Sequence, residues 1–521
     1  MVTGFIPLTE DDITLVDHTH LGGLGRLCQC FRRQAGKQFG AFDNRDPGSL
    51  IHDAAPSAEG LRYLKSCPAP NGYPARMRTD TILKYAGDRI PRYTSYPTAP
   101  HFTPDIGATS FARWLGELDP AEPVSLYLHI PFCRTMCWYC GCHTKATRRL
   151  APVEAYAEVL LKEIDTIANR TPGRLKVSHI HWGGGSPTYL PATYFTALMD
   201  RLRHRFDVLG DAEVAVEVDP RIFSPQMAAA FGDTGVNRAS LGVQTFDEEV
   251  QRAVNRVQDR DCIEACVNLL RASGVKGLNF DLLYGLPLQT VENCVASAET
   301  ALEFAPDRFS VFGYAHVPHM KPHQKMIRDE TLPGAAARLA QADAIAETLT
   351  RGGHVQIGLD HFAYRTDPMA IALEAGNLHR NFQGYTTDAA TAIIGMGASA
   401  ISWMPQGYIQ NTTNNHEWER RIEAGDLPVA RGYALTPDDR LRRAIIERLM
   451  CHLDVDVDAI VATAGAAFDM PDLSAFEHAG ILSRQGNRLA ISPEYRPLVR
   501  SVAAAFDAYL PTSTARHAVA V

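Results

Sequence analysis

The chain has 521 residues, 45% of them hydrophobic, enough for two or three domains with a sizeable core. A formal net charge of −8 argues against nonspecific nucleic-acid binding, and an anionic substrate needs a locally basic pocket working against that field. The eleven cysteines are odd in number and mostly scattered, and no apolar stretch approaches the roughly 18 to 20 residues of a membrane span, so a cytoplasmic protein without a disulfide framework or membrane partner is expected.

Residues 1–76 differ from the rest. They have weak periodicity, scattered Gly and Pro, the isolated thiols Cys28, Cys30 and Cys67, and no interpretable motif. They read as an N-terminal extension, either partly disordered or the product of a start assigned too early, with the native chain opening near Met77. An N-terminal arm covers 77–117. From 118 to 435, β-rich runs alternate with amphipathic ones. The predicted strands are Val124 to Phe132, Ser178 to Trp182, Ala212 to Val218, Arg238 to Val243, Gly277 to Tyr284 and Arg308 to Tyr314. Between them lie predicted helices such as Val153 to Ala168, Ala192 to Phe206, Asp261 to Ser273 and Val291 to Phe304. This alternation implies βαβ units and a parallel sheet. Six units are too few for a closed eight-stranded barrel, so an α/β fold built on a partial (β/α)6 barrel is expected, with its active site at the carboxyl ends of the strands.

The motifs fall at that rim. After the first strand come Cys133, Cys137, Cys140 and Cys142, spaced C-x3-C-x2-C and then x-C. Three thiolates on one loop can hold three irons of a 4Fe-4S cube and leave the fourth open. Zinc sites pair two knuckles a dozen or more residues apart, and no second knuckle follows; a set of buried structural thiols is the bland alternative. Gly183-Gly184-Gly185-Ser186-Pro187-Thr188 follows the second strand. It has neither dinucleotide nor P-loop spacing, yet it lets backbone approach a ligand closely and suits an amino-acid amine or carboxylate. Glu217 ends the third strand, placed to accept hydrogen bonds from a sugar hydroxyl or an ammonium. Gln244 ends the fourth, Asp281 with Tyr284-Gly285-Leu286-Pro287 the fifth, and Tyr314-Ala315-His316 the sixth. Arg256 and Arg238 can hold carboxylates by forked hydrogen bonds, although a surface salt bridge is the commoner role for an arginine.

Residues 436–521 change character: a helix from Pro437 to Cys451, shorter helices, then a hairpin over Gly480 to Ser492 turning at Gln485-Gly486-Asn487. The order suggests a smaller, mostly helical, winged-helix-like domain. It is not basic enough for DNA, so a lid or docking domain over the barrel is expected.

The cysteine spacing with Tyr139 before the third cysteine, together with the glycine run, resembles the radical S-adenosylmethionine superfamily. The strings Pro91-Arg92-Tyr93-Thr94-Ser95-Tyr96-Pro97-Thr98, Tyr127-Leu128-His129-Ile130-Pro131-Phe132-Cys133, His181-Trp182-Gly183-Gly184-Gly185 and His379-Arg380-Asn381-Phe382-Gln383-Gly384-Tyr385 narrow the resemblance to oxygen-independent coproporphyrinogen III oxidases, from about Met77 to near Leu510. The resemblance implies one 4Fe-4S cluster ligated by Cys133, Cys137 and Cys140, with Cys142 beside it. It implies two S-adenosylmethionine molecules, the first at Tyr127, Gly184, Glu217, Ala315 and Ile401, the second at Tyr139, Gly185, Ser186, Gln244, Arg256 and Asp281. The family often has Phe at 139 and Thr at 186; Tyr and Ser keep the ring and the hydroxyl.

The implied reaction is oxidative decarboxylation of two propionates of coproporphyrinogen III to vinyl groups, through a 5'-deoxyadenosyl radical, giving protoporphyrinogen IX. Tyr127 and Cys142 are the residues expected nearest the chemistry. An electron donor such as a flavodoxin or ferredoxin and a monomeric state are implied as well. Lys145, Arg148 and Arg149 are candidates to line the entrance for a tetracarboxylate substrate, a solvated basic run being the alternative. Two rival functions are a haem chaperone of the same superfamily and an iron-sulfur redox or sensor protein. Cys142, where chaperone-like relatives tend to have Phe, and the Pro91 to Thr98 segment argue against the first. The glycine run and polar rim argue against the second.

Overall fold

A computed structural model of the chain describes residues 75–465 and 467–510. The expectations for the N-terminal extension fall on residues outside the described ones, apart from the start of a helix, Ala75–Tyr85.

Six strands follow one another in sheet order as in sequence: β1 Val124–Ile130, β2 Lys176–Gly184, β3 Asp207–Val218, β4 Arg238–Gln244, β5 Gly277–Tyr284 and β6 Arg308–Gly313. Each runs parallel to its neighbours, Tyr127 standing beside His181, Glu217 beside Ser240 and Asp281 beside Ser310. Each is followed by a helix: α1 Ala151–Ala168, α2 Ala192–Arg205, α3 Pro225–Asp233, α4 Arg260–Ala272, α5 Val291–Leu302 and α6 Ala335–Arg351. Helix α4 shows why such segments form. Its buried residues Ile263, Cys266, Val267 and Leu270 recur at helical spacing, and the Asp259 carboxylate caps its start by accepting from the Cys262 N–H.

The strands carry two kinds of side chain in strict alternation. Leu126, Leu128, Ile180, Trp182, Leu278, Phe280, Phe309 and Val311 join the large apolar core. The residues between them, such as Tyr127, His181, Asn279, Asp281 and Ser310, take the opposite face, which encloses the barrel interior. That face is polar although β1, β5 and β6 are buried at every position. A barrel lined with buried polar groups is a container for a ligand.

The sheet is wider than six strands. Beyond β6 lie β7 His354–Ile357 and β8 His361–Tyr364, added antiparallel. Beyond β1 lies β9 Ile393–Met396, parallel to it, followed by antiparallel β10 Ile401–Met404, β11 Gly407–Asn411 and β12 Val429–Ala434. Four of the six added strands have only four residues, too short to show a period, and β9 with the start of β10 lies in the small-residue run from Ala389 to Ser402. The twelve strands form a linear order, so the barrel is open.

Glu163 of α1 holds this extension in place. It is fully buried and accepts from the Gly397 N–H (2.7 Å), the Asn411 amide (2.9 Å) and the Trp418 indole (3.0 Å). Burial drives its pKa up to about 8 despite those donors.

The C-terminal region comprises the helix Pro437–His452, the strand Asp454–Asp456, the helices Val457–Ala464 and Ser474–His478, and the hairpin Leu482–Gln485 with Arg488–Ile491. The hairpin turns on Gly486-Asn487, with Gly486 at φ +61°. Ile445, Leu449, Val455, Ile481, Leu489 and Val502 form a separate core, which also takes in Ile82, Ile90, Tyr93 and Tyr96. Further along the same arm, Phe111, Trp114 and Leu115 enter the barrel core. The arm is thus apolar at both ends and packs into two cores. Among the described residues, no helix is long and apolar enough to cross a membrane.

Candidate active site

The carboxyl ends of β1 to β6 converge on the cysteine loop. Cys133, Cys137, Cys140 and Cys142 are all buried. Thr144 Oγ1 donates to Cys133 Sγ at 3.3 Å, and the guanidinium groups of Arg256 and Arg221 approach Cys137 Sγ at 3.4 and 3.5 Å. The Cys142 backbone N–H donates to Cys140 Sγ at 3.4 Å. Hydrogen bonding from the Cys142 side chain, the largest influence, helps bring the Cys140 thiol down to about 6, whereas burial pushes Cys133 up. Cys142 therefore acts toward Cys140 as a donor.

The rest of the loop is tied down from far along the chain. Gln324, itself buried, donates its amide to Tyr139 O (3.0 Å) and Ala315 O (3.1 Å). His323 bonds Cys140 O at 2.6 Å and Lys321 donates to Cys142 O at 3.0 Å. Asn255 donates to Met136 O, and the Trp138 N–H to Val254 O.

Each glycine of the run has its own neighbour. A Cβ on Gly183 would lie 2.9 Å from Glu217 Oε1; on Gly184, with φ +109°, it would strike the His129 ring at 2.6 Å; on Gly185 it would meet Thr144 Oγ1 at 2.5 Å. Glu217, 1% exposed, accepts from the Gly184 N–H at 3.3 Å through Oε2, while Oε1 has no hydrogen-bond partner and lies 3.7 Å from His181 Nε2. Tyr127 and His129 form a fixed relay. His129, fully buried and held neutral by that burial at about 3, donates from Nε2 to His143 O (2.9 Å), so its Nδ1 accepts from the Tyr127 hydroxyl (3.0 Å).

Farther round the rim, Ser186 Oγ, both ends of the Gln244 amide and the Tyr139 hydroxyl are buried with no hydrogen-bond partner. Gln244 also sits at φ +70°, where the pairing of β4 with β5 slips by one residue. Positive φ in a long side chain at a strand end is local strain of the kind found at ligand sites. Arg256, 1% exposed, donates twice to Gly242 O (3.1 and 2.5 Å) and lies 3.5 Å from Asp219. Burial would raise the Asp219 carboxyl, but Arg256 and Arg221 override it and hold it at about 2. The Asp219–Arg221–Arg256 group carries two positive charges against one beside Cys137. The sequence named Arg256 and missed Asp219 and Arg221, though Asp219 lies only two residues after Glu217.

Asp281 lies lower, in the middle of β5, where it accepts from the Asn279 amide (2.8 Å) and from Ser240 Oγ (3.2 Å). With them it lines an interior cavity of about 110 Å³. Ile401 is buried in β10, outside the six-stranded barrel, and joins the site through Gly395: Gly395 pairs with Tyr127, and a Cβ there would meet Ile401 O at 2.5 Å. For two sets of basic residues the structure takes the alternative role the sequence also offered. Arg238 is the first residue of β4, at the opposite end of the strand from the rim, and binds Glu213 at 2.8 Å. Lys145, Arg148 and Arg149 are exposed on the outer surface and line no part of the interior cavity.

Among the described residues, no three His, Cys, Asp or Glu side chains converge closely enough to share a single metal ion. A 4Fe-4S cube requires instead one thiolate at each of three separate corners. Buried polar atoms without partners, on a glycine cradle with no room for a Cβ, suit a ligand with an ammonium, a carboxylate and hydroxyl groups. The site therefore fits both a cluster and S-adenosylmethionine.

Comparison with known proteins agrees. The radical SAM superfamily matches residues 127–301. The oxygen-independent coproporphyrinogen III oxidase of Bradyrhizobium diazoefficiens is 51% identical over 450 residues, which cover 85% of this chain and 100% of that one. The enzyme of the same name from Escherichia coli is 40% identical over 429 residues, 81% of this chain and 93% of that one. The solved structure of the Escherichia coli coproporphyrinogen III oxidase, described as a radical SAM enzyme, superimposes with a TM-score of 0.78 at 38% identity, covering 82% of this chain and 98% of that one. The chain belongs to the oxygen-independent coproporphyrinogen III oxidase family of radical SAM enzymes.

Proposed function

We propose that this chain performs the oxygen-independent oxidative decarboxylation of two propionates of coproporphyrinogen III to vinyl groups, in a reducing cytoplasm. The observation that carries this is the meeting, at one rim of an open barrel, of a three-thiol loop with the buried, unpartnered polar groups of Ser186, Gln244 and Tyr139 and with Glu217 Oε1, which accepts no hydrogen bond. Cys133, Cys137 and Cys140 would hold the cluster. Tyr127, Gly184, Glu217, Ala315 and Ile401 would hold one S-adenosylmethionine, and Tyr139, Gly185, Ser186, Gln244, Arg256 and Asp281 a second. Bound there, these groups would supply the radical chemistry for removing a hydrogen from the propionate β-carbon.

The chain's own residues position and shield. Glu217 Oε1 offers an acceptor to an ammonium or hydroxyl. Tyr127, whose proton is directed to His129, keeps its oxygen lone pairs toward the site. The barrel wall encloses the reacting groups and keeps competing reactants from them. A cavity of about 160 Å³ lined by Tyr96, Phe382, Trp403, Arg380 and Arg443, with Asp388 and Glu447 also in its wall, is too small for a whole tetrapyrrole but offers aromatic faces and cationic groups to one carboxylate-bearing edge of the macrocycle. The buried Trp403 Nε1, without a partner, can donate to one of its carboxylates.

The test is anaerobic reconstitution with iron and sulfide, then incubation with coproporphyrinogen III, S-adenosylmethionine and a reductant. Formation of 5'-deoxyadenosine together with a doubly decarboxylated porphyrinogen is expected; absence of both rejects the reading.

A further inference from the structure

The cysteine loop is covered on one side and open on the other. Lys321, His323 and Gln324 close it over Tyr139, Cys140 and Cys142. At its start, Arg134 is exposed and Thr135 half-buried, directly after the buried Cys133. A two-residue parallel bridge pairs Phe132–Cys133 with Lys145–Ala146, and the Thr147 N–H donates to Cys133 O at 2.9 Å. That bridge brings the exposed Lys145, Arg148 and Arg149 onto the face where Arg134 emerges.

These four cations are unusual for this chain. None forms an ion pair with a described residue, and from Pro123 to Val153 the sequence contains no Asp or Glu, in a protein of net charge −8. Uncompensated like charge destabilises a fold but attracts an oppositely charged partner. A cleft of about 410 Å³ opens between Arg134, Arg148 and Arg221. Arg221 is held by Asp219 at 2.6 Å and reaches Cys137 Sγ at 3.5 Å, so a single side chain separates the cleft from a thiolate sulfur. The interior cavities include none of Arg134, Lys145, Arg148 and Arg149.

We propose that this face is the electron-entry surface, on which a small acidic one-electron carrier protein docks against Arg134, Lys145, Arg148 and Arg149, with its redox group over the exposed start of the cysteine loop. This rests on the reading of that loop as a cluster site. In the step, one electron leaves the reduced carrier and enters the cluster; the carrier is oxidised by one electron, the cluster is reduced by one, and no bond forms or breaks. Electron-transfer encounters are small and steered by charge, which a cluster of free cations at the edge of the site provides.

The test compares the full-length protein with its Arg148→Glu/Arg149→Glu variant, both anaerobically reconstituted, using reduced flavodoxin as the carrier probe and dithionite as a small reductant. Carrier binding is read by surface plasmon resonance, cluster reduction by stopped-flow bleaching, and iron content by assay. The variant is expected to keep its iron and its dithionite-driven reduction, while carrier affinity and carrier-driven reduction fall about ten- to hundredfold and lose most of their salt dependence. Unchanged carrier binding in the variant overturns the proposal, as does failure of flavodoxin to bind and reduce the unmodified protein. An equal loss with dithionite also overturns it, as does a raised KM for coproporphyrinogen III under dithionite, which would assign these cations to substrate. Failure of the unmodified protein to take up iron defeats the cluster reading itself, an outcome visible before any carrier is added.

Discussion

The two ends of the barrel are built from the same strands and are both polar inside, yet they treat polarity in opposite ways. At the amino end charged groups stand against partners, Arg238 with Glu213 at 2.8 Å, Arg308 with Asp367 at 2.8 Å, and Asp388 with both Ser125 (2.5 Å) and His179 (3.2 Å), although Arg238 Nη1 and Arg308 Nη2 make no hydrogen bond. At the carboxyl end Ser186, Gln244, Tyr139 and one oxygen of Glu217 are buried without partners. A buried group left unsatisfied costs about 1 to 3 kcal/mol. Several neutral or anionic groups left so at one rim are tolerable when a ligand completes them, whereas the cations at the other rim already face carboxylates that hold the strands together.

The largest expected effect comes from the loop. Cys133→Ser should lose the brown chromophore and nearly all iron after reconstitution, and with it all turnover. Cys142→Ser should keep both iron and chromophore, because Cys142 donates toward Cys140, and should lose turnover. Iron assay and the visible spectrum separate the two; equal iron loss in both would make Cys142 a ligand.

Arg256 tests whether the contrast between the ends is absolute. It is an upper-rim cation, only 1% exposed, whose guanidinium already contacts Gly242 O, Asp219 and Cys137. Arg256→Met leaves buried Asp219 with Arg221 as its remaining cation, and should destabilise the fold by about 3 to 5 kcal/mol, read as a lowered chemical-denaturation midpoint. Glu217→Gln should behave in the opposite way. Its carboxylate is half-unpartnered, so the melting temperature should hold or rise while S-adenosylmethionine affinity, by calorimetry, falls by about 1.5 to 3 kcal/mol. If Glu217→Gln melted early and bound normally, the rim would be structural.

This contrast also explains what the sequence disclosed. The six barrel strands were legible because each is a run of five or more residues with apolar groups on alternate positions, and Gly277–Tyr284 was found to the residue. Ile393–Met396 was not, because four residues within a run of Ala, Gly and Ser carry no period. The cysteine loop and the glycine run were legible as local strings. The residues that hold the loop, Lys321, His323 and Gln324, lie more than 170 positions away and bind its carbonyls, which any sequence would present. Sequence left Arg238 open between a ligand contact and a salt bridge, because an arginine beginning a strand looks the same in either role; register sets it beside Ala215, at the far end from the rim, with Glu213 within 2.8 Å.

The smallest effect belongs to that lower pair, and it carries a pH signature. Burial would raise the Glu213 carboxyl above its ordinary value of 4.5, but Arg238 outweighs it and the net shift is downward. A carboxyl with a depressed folded-state pKa contributes stability that is present above its unfolded value and lost as pH falls through the folded one. As pH falls from above the ordinary carboxyl value through the lower folded one, the unmodified protein should therefore lose this contribution, and Arg238→Met, lacking it at every pH, should lose less stability over the same interval. Because the pair is partly open to solvent, with side chains 15% and 29% exposed, the difference at neutral pH should be only about 1 kcal/mol. S-adenosylmethionine affinity should be unchanged in the variant. A fall in that affinity would mean that the lower network positions the upper rim, and the two ends of the barrel would then be one device.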